Sequence, residues 1–185
     1  MKTSFLSKSE LLEIGFAHVG ENVRVSRFAH FYGAETISLG SNCRVDDFCI
    51  LSGEINIGQY SHIAAYTALY GSEKICVGDF SGLSPRCTVF SAMDDFSGQF
   101  LIGPTLPAGY TNVTKGQVII GNYCQIGSGS IVFPNLSIGE GSVVGAMSLV
   151  KTALNPWGIY AGNPAVFLKE RKKDVLNFHA EKLLK

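Results

Sequence analysis

Two adjacent carboxylates, Asp94 and Asp95, stand in a stretch from Ser91 to Gly116 that also holds two prolines, two phenylalanines and four glycines. Like charges side by side in a partly buried loop raise one another's proton affinity. That is how a carboxylate, with a reference pKa of about 3.9, becomes a usable base. Four histidines are the other candidates for acid–base or metal chemistry: His18, His30, His62 and His179. Near the C-terminus Lys169, Arg171, Lys172 and Lys173 form a basic cluster. Such a cluster serves either as a solvated face or as a contact for phosphates.

The elements that must position these residues are set by a repeat, and repeats are read before anything else. Ile120-Gly121-Asn122-Tyr123-Cys124-Gln125 is one six-residue unit, and Ile126-Gly127, Val132-Phe133, Ile138-Gly139 and Val144-Gly145 open the next four. Aliphatic–Gly pairs begin at Val19, Leu39, Ile57, Val77, Ile120 and Ile138, in steps of 20, 18, 20, 43 and 18 residues. Three hexapeptides make about 18 residues, one three-sided coil. A step of 20 is a coil with a bulge, and the step of 43 is a coil carrying the stretch from Ser91 to Gly116. Each side is too short for a helix and suits a short strand plus a corner. The first and fifth places point inward. Glycine at the second place is expected to supply a positive φ at the corner. Stacked at about 4.8 Å, these coils make a parallel β-helix.

The ends are read as caps. Ser7-Lys8-Ser9-Glu10 is a capping box before Leu11, Leu12 and Ile14, with Gly15 as the stop. Residues 1–18 thus form an N-terminal cap on a single domain, 19–154 the β-helix with its inserted loop 91–116, and 155–185 a C-terminal tail and helix. That helix is expected to start at Asn163-Pro164 and to present Val166, Leu168, Val175, Leu176, Phe178, Leu183 and Leu184 on one face. The apolar inserted loop is expected to pack on a neighbouring chain. Charge is balanced, 15 basic against 15 acidic residues, so no broad basic face for nucleic acid is implied. No apolar run approaches the roughly 20 residues of a membrane span, and Met1 to Leu12 has no apolar signal region. A cytoplasmic protein is expected. Cys43, Cys49, Cys87 and Cys124 fall at the inward fifth place as core residues, and only Cys76 is out of phase.

On these repeats, and on Gly162-Asn163-Pro164-Ala165 after them, the chain resembles the left-handed β-helix acyltransferases, the hexapeptide-repeat family. Within it the sequence looks like the sugar O-acetyltransferase branch of galactoside and maltose enzymes, from about Ile55 to Asp95 and from Gln117 to Ala165. Asp94-Asp95-Phe96-Ser97-Gly98 looks closer still to acetyltransferases of surface-polysaccharide clusters. The resemblance implies a left-handed all-β helix of about six coils, a homotrimer with active sites between subunits, and acetyl-CoA in that groove with no metal required. It puts cofactor contacts at Ser128, Ala146, Lys151, Asn163 and Pro164, with Arg171 from the basic cluster near the phosphates.

The family's loop histidine is replaced here by Asp94. Three readings of Asp94 stand open: it is the base, with Asp95 raising its pKa; it orients His62 as in a triad; or the site has lost catalysis. Tyr66 is placed to stack on a sugar ring or to pack a corner. Ala64 and Ser72 stand where relatives carry a sugar-binding Asn and a carboxylate, which points to a larger acceptor than a simple galactoside. The expectation is an acetyl-CoA-dependent O-acetyltransferase acting on a sugar hydroxyl in O-antigen or capsule synthesis. The alternatives are a nucleotide-amino-sugar N-acyltransferase and a non-catalytic scaffold. A zinc enzyme of this fold needs three converging histidines, which His18, His30, His62 and His179 are not spaced to provide.

Overall fold

The computed structural model describes residues 4–107 and 109–178. The step pattern of the sequence is the register of the fold. Along the first face Val19 pairs with Leu39, Leu39 with Ile57, Ile57 with Val77, Val77 with Ile120 and Ile120 with Ile138, all in parallel. A bridge from Ile138 to Leu154 adds a seventh row. The second face stacks Arg24–Val25, Arg44–Val45, His62–Ile63, Gly82–Leu83, Gln125–Ile126, Val143–Val144 and Gly158–Ala161. The third stacks His30–Tyr32, the start of Ile50–Ile57, the start of Ala68–Val77, Thr88–Phe90, Ile131–Val132 and Leu149–Val150. The chain is a left-handed all-β solenoid with a short N-terminal helix. The chain turns from first to second face at a first corner, from second to third at a second, and back to the first at a third.

The aliphatic first places fill the interior: Leu39, Ile57, Ile63, Leu69, Val77, Ile120, Ile126 and Val132 are all buried. The small fifth places do more than leave room. The Ser61 hydroxyl donates to Gly78 O at 2.7 Å, Ser81 to Gly121 O at 2.8 Å, and the Cys87 and Cys124 thiols to Gly127 O and Gly139 O, each at 3.2 Å. Each satisfies a corner carbonyl of the next coil that the ladder cannot reach. Burial pushes the Cys43 thiol up to about 12 and those of Cys49, Cys87 and Cys124 up to about 11, so these thiols stay protonated. Ser81 also accepts from the Cys124 N–H at 2.9 Å. Ser81→Ala strands both buried groups and is expected to cost about 1–3 kcal/mol in urea unfolding, while Cys124→Ser stays within about 1 kcal/mol of the parent.

The second-place glycines do not have the expected positive φ. The left-handed conformation is instead taken at the fourth place by Asn22, Asn42, Tyr60, Phe80, Tyr123 and Trp157. Glycine is needed because coils nearly touch: a Cβ on Gly78 would lie 2.6 Å from the backbone of Gly121 and Asn122. The fourth-place side chains turn outward and stack, with Tyr60–Phe80 and Phe80–Tyr123 centroids 5.1 and 5.3 Å apart and Trp157 next at 6.4 Å.

The N-terminal helix, Lys8–Ile14, starts at Ser7 with the reciprocal Ser7–Glu10 capping box and ends at Gly15 in the left-handed conformation. The C-terminal tail differs from expectation. The Asn163–Pro164 peptide is cis, and Val166–Glu170 runs as a strand antiparallel to Gly158–Ala161. A β-branched and aromatic segment here pairs with the free edge of the last coil, whose N–H and C=O groups would otherwise be open. Among the described residues a short 3-10 helix, Asp174–Phe178, follows. His179, Leu183 and Leu184 lie outside the described residues. The excursion from Ser91 leaves at the third corner as a two-stranded hairpin, Ala92–Asp94 against Val113–Lys115, and returns where Gly116 N donates to Ser91 O at 2.9 Å. No helix among the described residues is long and apolar enough to cross a membrane.

Candidate active site

Four of the residues expected at the cofactor share one edge. At the second corner Gly129 N donates to Pro85 O, Met147 N to Ser128 O and Leu149 N to Gly162 O, so Ser128, Ala146 and the Gly162–Pro164 turn follow one another up the corner. Ser128, Ala146, Asn163 and Pro164 are exposed. The coils are drawn tightly together here: a Cβ on Gly127 would lie 2.4 Å from Ala146 N. Small side chains over a close-packed backbone leave a shallow channel whose peptide groups an extended pantetheine can approach. The residues present therefore fit a CoA thioester.

Tyr66 lies lower on the same corner, 55% exposed, stacked at 5.0 Å on Phe48 and facing the Arg86 guanidinium at 5.8 Å. His62 is four residues earlier on the second face. Its Nε2 donates to Asp46 Oδ2 at 2.7 Å, and Asp46 Oδ1 accepts from Arg44 Nε at 2.5 Å. Burial pushes the Asp46 carboxyl up, but the hydrogen bonds from His62 and Arg44 outweigh it and hold it below the usual carboxylate range. Asp46 thus positions His62 within one chain. In the row above His62, Gly82 has no side chain, and Gln125 Nε2 donates to Ser84 Oγ at 3.0 Å. Sequence reasoning did not single out Asp46, Ser84 or Gln125; reading the outward places coil by coil along one face would have grouped them. Ala64, by contrast, is buried and offers its side chain to no ligand.

Asp94 is placed elsewhere. It ends the first strand of the hairpin at the third corner, where Glu73 N of the strand Ala68–Val77 donates to Ser91 Oγ at 2.8 Å. One three-residue side, Thr88–Phe90, separates this corner from the Ser128 edge, about 10 Å at the usual rise per residue. The two adjacent carboxylates have different fates. Asp95 Oδ1 accepts from the Ser97 N–H at 2.7 Å and Oδ2 from Asn112 Nδ2 at 3.0 Å. The Ser97 bond foremost, then Asn112, hold its carboxyl below the usual range, so Asp95 shapes the loop. The Asp94 side chain is half-buried and makes no hydrogen bond among the described residues. Lys151 also lies toward the third corner, just beyond Leu149–Val150.

Arg171 sits at the first corner. Its Nη1 donates to Tyr123 O at 2.6 Å and Gly141 O at 2.8 Å, and Lys173 lies over the Trp157 ring. Arg171 therefore pins the return strand to the coil. Arg171→Met is expected to lower stability by about 1–3 kcal/mol in thermal melts and to leave CoA affinity within twofold of the parent.

No family model matches the sequence. An Escherichia coli dTDP-4-amino-4,6-dideoxy-D-glucose acyltransferase is 39% identical over 180 residues, 96% of this chain and 94% of that protein. AntD, an N-acyltransferase from Bacillus cereus solved with dTDP and 3-hydroxybutyryl-CoA, is 52% identical with a TM-score of 0.96, covering 99% of this chain and 98% of that one. Its S84C variant, solved with dTDP-4-amino-4,6-dideoxyglucose and coenzyme A, is 51% identical with a TM-score of 0.96, covering 100% of this chain and 99% of that one. AntD has also been solved as D94N and D94A variants. These relatives overturn the expected placement among sugar O-acetyltransferases, and with it O-acetylation of a sugar hydroxyl. The physical reason is the nucleophile. A hydroxyl must lose its proton as it attacks and needs a base such as histidine, whereas a neutral amine attacks with its own lone pair. A loop with Asp94 in place of histidine suits the amine. The chain belongs to the hexapeptide-repeat, left-handed β-helix family of CoA-dependent N-acyltransferases that includes these two enzymes.

Proposed function

We propose that this protein transfers an acyl group from a short acyl-CoA, acetyl-CoA or 3-hydroxybutyryl-CoA, to the amino group of a dTDP-linked amino sugar. The observation that carries the reading is the contrast between the paired carboxylates. Asp95 is engaged within its own loop, while Asp94 is unengaged on the hairpin at the third corner. In the reaction the amine nitrogen attacks the thioester carbonyl carbon. A C–N bond forms, the C–S bond breaks, and the nitrogen gives up one proton while the departing sulfur gains one. The nitrogen becomes positive as it attacks. The Asp94 carboxylate accepts a hydrogen bond from its N–H and stabilises that charge. AntD was substituted at residues 84 and 94, and this chain carries Ser84 and Asp94 in an alignment spanning nearly the whole of both chains.

A homotrimer completes the site. The Ser128 edge and the Asp94 hairpin lie on different corners of one chain, and a neighbour related by rotation brings the hairpin of one protomer to the edge of the next. The exposed apolar residues of the excursion, Phe96, Leu101 and Ile102, supply a surface for that contact. Acyl-CoA lies along Ser128, Ala146 and Asn163-Pro164, with Lys151 near its nucleotide end, and Tyr66 and Ser72 face the acceptor.

The test is a thiol-release assay with dTDP-4-amino-4,6-dideoxyglucose and each acyl-CoA, followed by mild alkali. An acylated product that survives alkali is the expected amide. Thiol release only with hydroxyl sugars, giving an alkali-labile product, would refute the assignment.

A further inference from the structure

The side chain that governs Ser84 comes from the next coil. Gln125 is exposed on the second face, one row above Gly82, and its side chain lies back over that glycine. A Cβ at Gly82 would stand 2.6 Å from Gln125 Oε1 and 3.3 Å from its Cδ and Nε2. Gly82 is not in the left-handed conformation, so its backbone does not demand glycine. What the missing side chain provides is the room in which the Gln125 amide lies. From there Nε2 donates to Ser84 Oγ at 3.0 Å and to Ile126 O at 3.3 Å. A glutamine left to solvent keeps its rotamer freedom, whereas this one is held by a notch and two hydrogen bonds.

The direction of the bond to Ser84 follows from Ile126. A carbonyl oxygen can only accept, so the amide edge turned to Ile126 O is the NH2 group, and the Ser84 hydroxyl beside it is the acceptor. The Ser84 backbone is fixed as well. Its N–H donates to Ile126 O at 2.9 Å, and its carbonyl accepts from Thr67 Oγ1 at 3.1 Å. The hydroxyls of Ser61 and Ser81 give their hydrogens to corner carbonyls. The Ser84 hydroxyl, with one lone pair taken, has a hydrogen that meets no acceptor among the described residues. Ser84 is half-buried and directly precedes Pro85, whose carbonyl accepts from Gly129 N beside Ser128. A fixed and unspent donor at the foot of a thioester channel suits the thioester carbonyl oxygen, which gains negative charge as the nitrogen attacks.

We propose that Gln125, seated in the notch at Gly82, is a positioning residue that makes the Ser84 hydroxyl a hydrogen-bond donor and aims it at the thioester oxygen of the bound acyl-CoA. This rests on the acyltransferase reading and gives residues 82 and 125 a part in it. Gln125 touches no reacting atom and acts through Ser84. Without it the hydroxyl can turn about its Cα–Cβ bond and spend its hydrogen on water.

The test is steady-state kinetics at about pH 8 with dTDP-4-amino-4,6-dideoxyglucose and the faster of acetyl-CoA and 3-hydroxybutyryl-CoA. Ser84→Ala is expected to lower kcat about a hundredfold, the loss of one such donor, and Gln125→Met about tenfold, because the hydroxyl stays but is free to turn. Gln125→Glu is ionised at that pH and can only accept, so it draws the Ser84 hydrogen to itself and is expected to fall about as far as Ser84→Ala. Gly82→Ala pushes the amide away while keeping both polar side chains, and is expected to match Gln125→Met. KM and the calorimetric affinity for CoA stay within about twofold of the parent throughout. Adding Gln125→Met to Ser84→Ala is expected to cost nothing further, since the residue through which it acts is gone. Parent-like kcat in Gln125→Met, or a further tenfold loss on the Ser84→Ala background, would overturn the positioning role and leave the acyltransferase reading in place. A parent that releases no thiol with this amino sugar would overturn that reading and this inference with it. If Gly82→Ala melts early, the Gln125 variants decide, because Gln125 is exposed and Ile126 O keeps its bond from Ser84 N without it.

Discussion

Asp94→Ala is expected to lower kcat about a hundredfold, the lower range of what a positioned proton acceptor contributes, while CoA and dTDP bind within twofold of the parent. The split follows from where Asp94 sits. It is on the hairpin, and in the proposed assembly its carboxylate meets the reacting amine, which neither CoA nor dTDP carries, so the affinity for either ligand does not depend on it. An interaction made only as charge develops on the attacking nitrogen appears in kcat and not in affinity. Asp94→Asn keeps an oxygen that can accept from the amine but loses the charge. It is therefore expected to fall between parent and Ala, about tenfold down. Asp95→Asn should behave differently, with the Ser97 N–H bond weakened and the loop loosened. Its signature is a raised KM for the acceptor with faster amide exchange at Ser97. Steady-state kinetics with calorimetry on the four proteins checks the set. Loss of CoA binding in Asp94→Ala would show that the hairpin serves the donor.

Gly78→Ala is expected to destabilise the protein by about 3 kcal/mol, near the upper range for overpacking, and to lower Tm by roughly 6–12 °C. The added Cβ would lie 2.6 Å from Gly121 C and Asn122 N, both backbone, so no side chain can swing away to make room. The rows at Val77 and Ile120 would have to separate, and they are the rows on either side of the excursion. Gly15→Ala costs less, about 1 kcal/mol, because its Cβ meets nothing within 4 Å and only the left-handed φ of 80° is strained. Scanning calorimetry on both variants tests whether close approach or positive φ is what the repeat demands of glycine.

Much of the fold was legible because the repeat is a register. The aliphatic places recur at the spacing with which strands pair, and Ser7, Glu10 and Gly15 form the cap that their types announce. The second-place glycines were read correctly as required but for the wrong reason. Coil-to-coil distance is a three-dimensional quantity that a periodic string does not contain. The tail failed for a related cause. Val166, Leu168, Val175 and Leu176 have helical spacing, yet the open edge of the last coil offers Val166–Glu170 a row of unpaired peptide groups, and pairing overrides spacing. The site was legible in halves. Ser128, Ala146 and Asn163–Pro164 share one edge because the repeat stacks them, whereas Arg171 is drawn to two carbonyls on another corner. The proposed choice of an amine over a hydroxyl turns on Asp94, whose meaning depends on a nucleophile that the chain does not carry.

The clasp at the root of the excursion has a consequence for how such proteins diversify. Ser91 and Gly116 are joined by a hydrogen bond, the Ser91 hydroxyl donates to Tyr70 O at 2.9 Å, and Val118 re-enters the ladder opposite Ile75 as though no residues had intervened. The segment between is a cassette. Its length does not enter the pitch of the coil, and closing a longer or shorter loop changes the chain entropy only slowly. Natural selection, or a designer, can exchange the residues between 91 and 116 to present a different carboxylate, a histidine or a longer lid while the prism beneath inherits its stability unchanged.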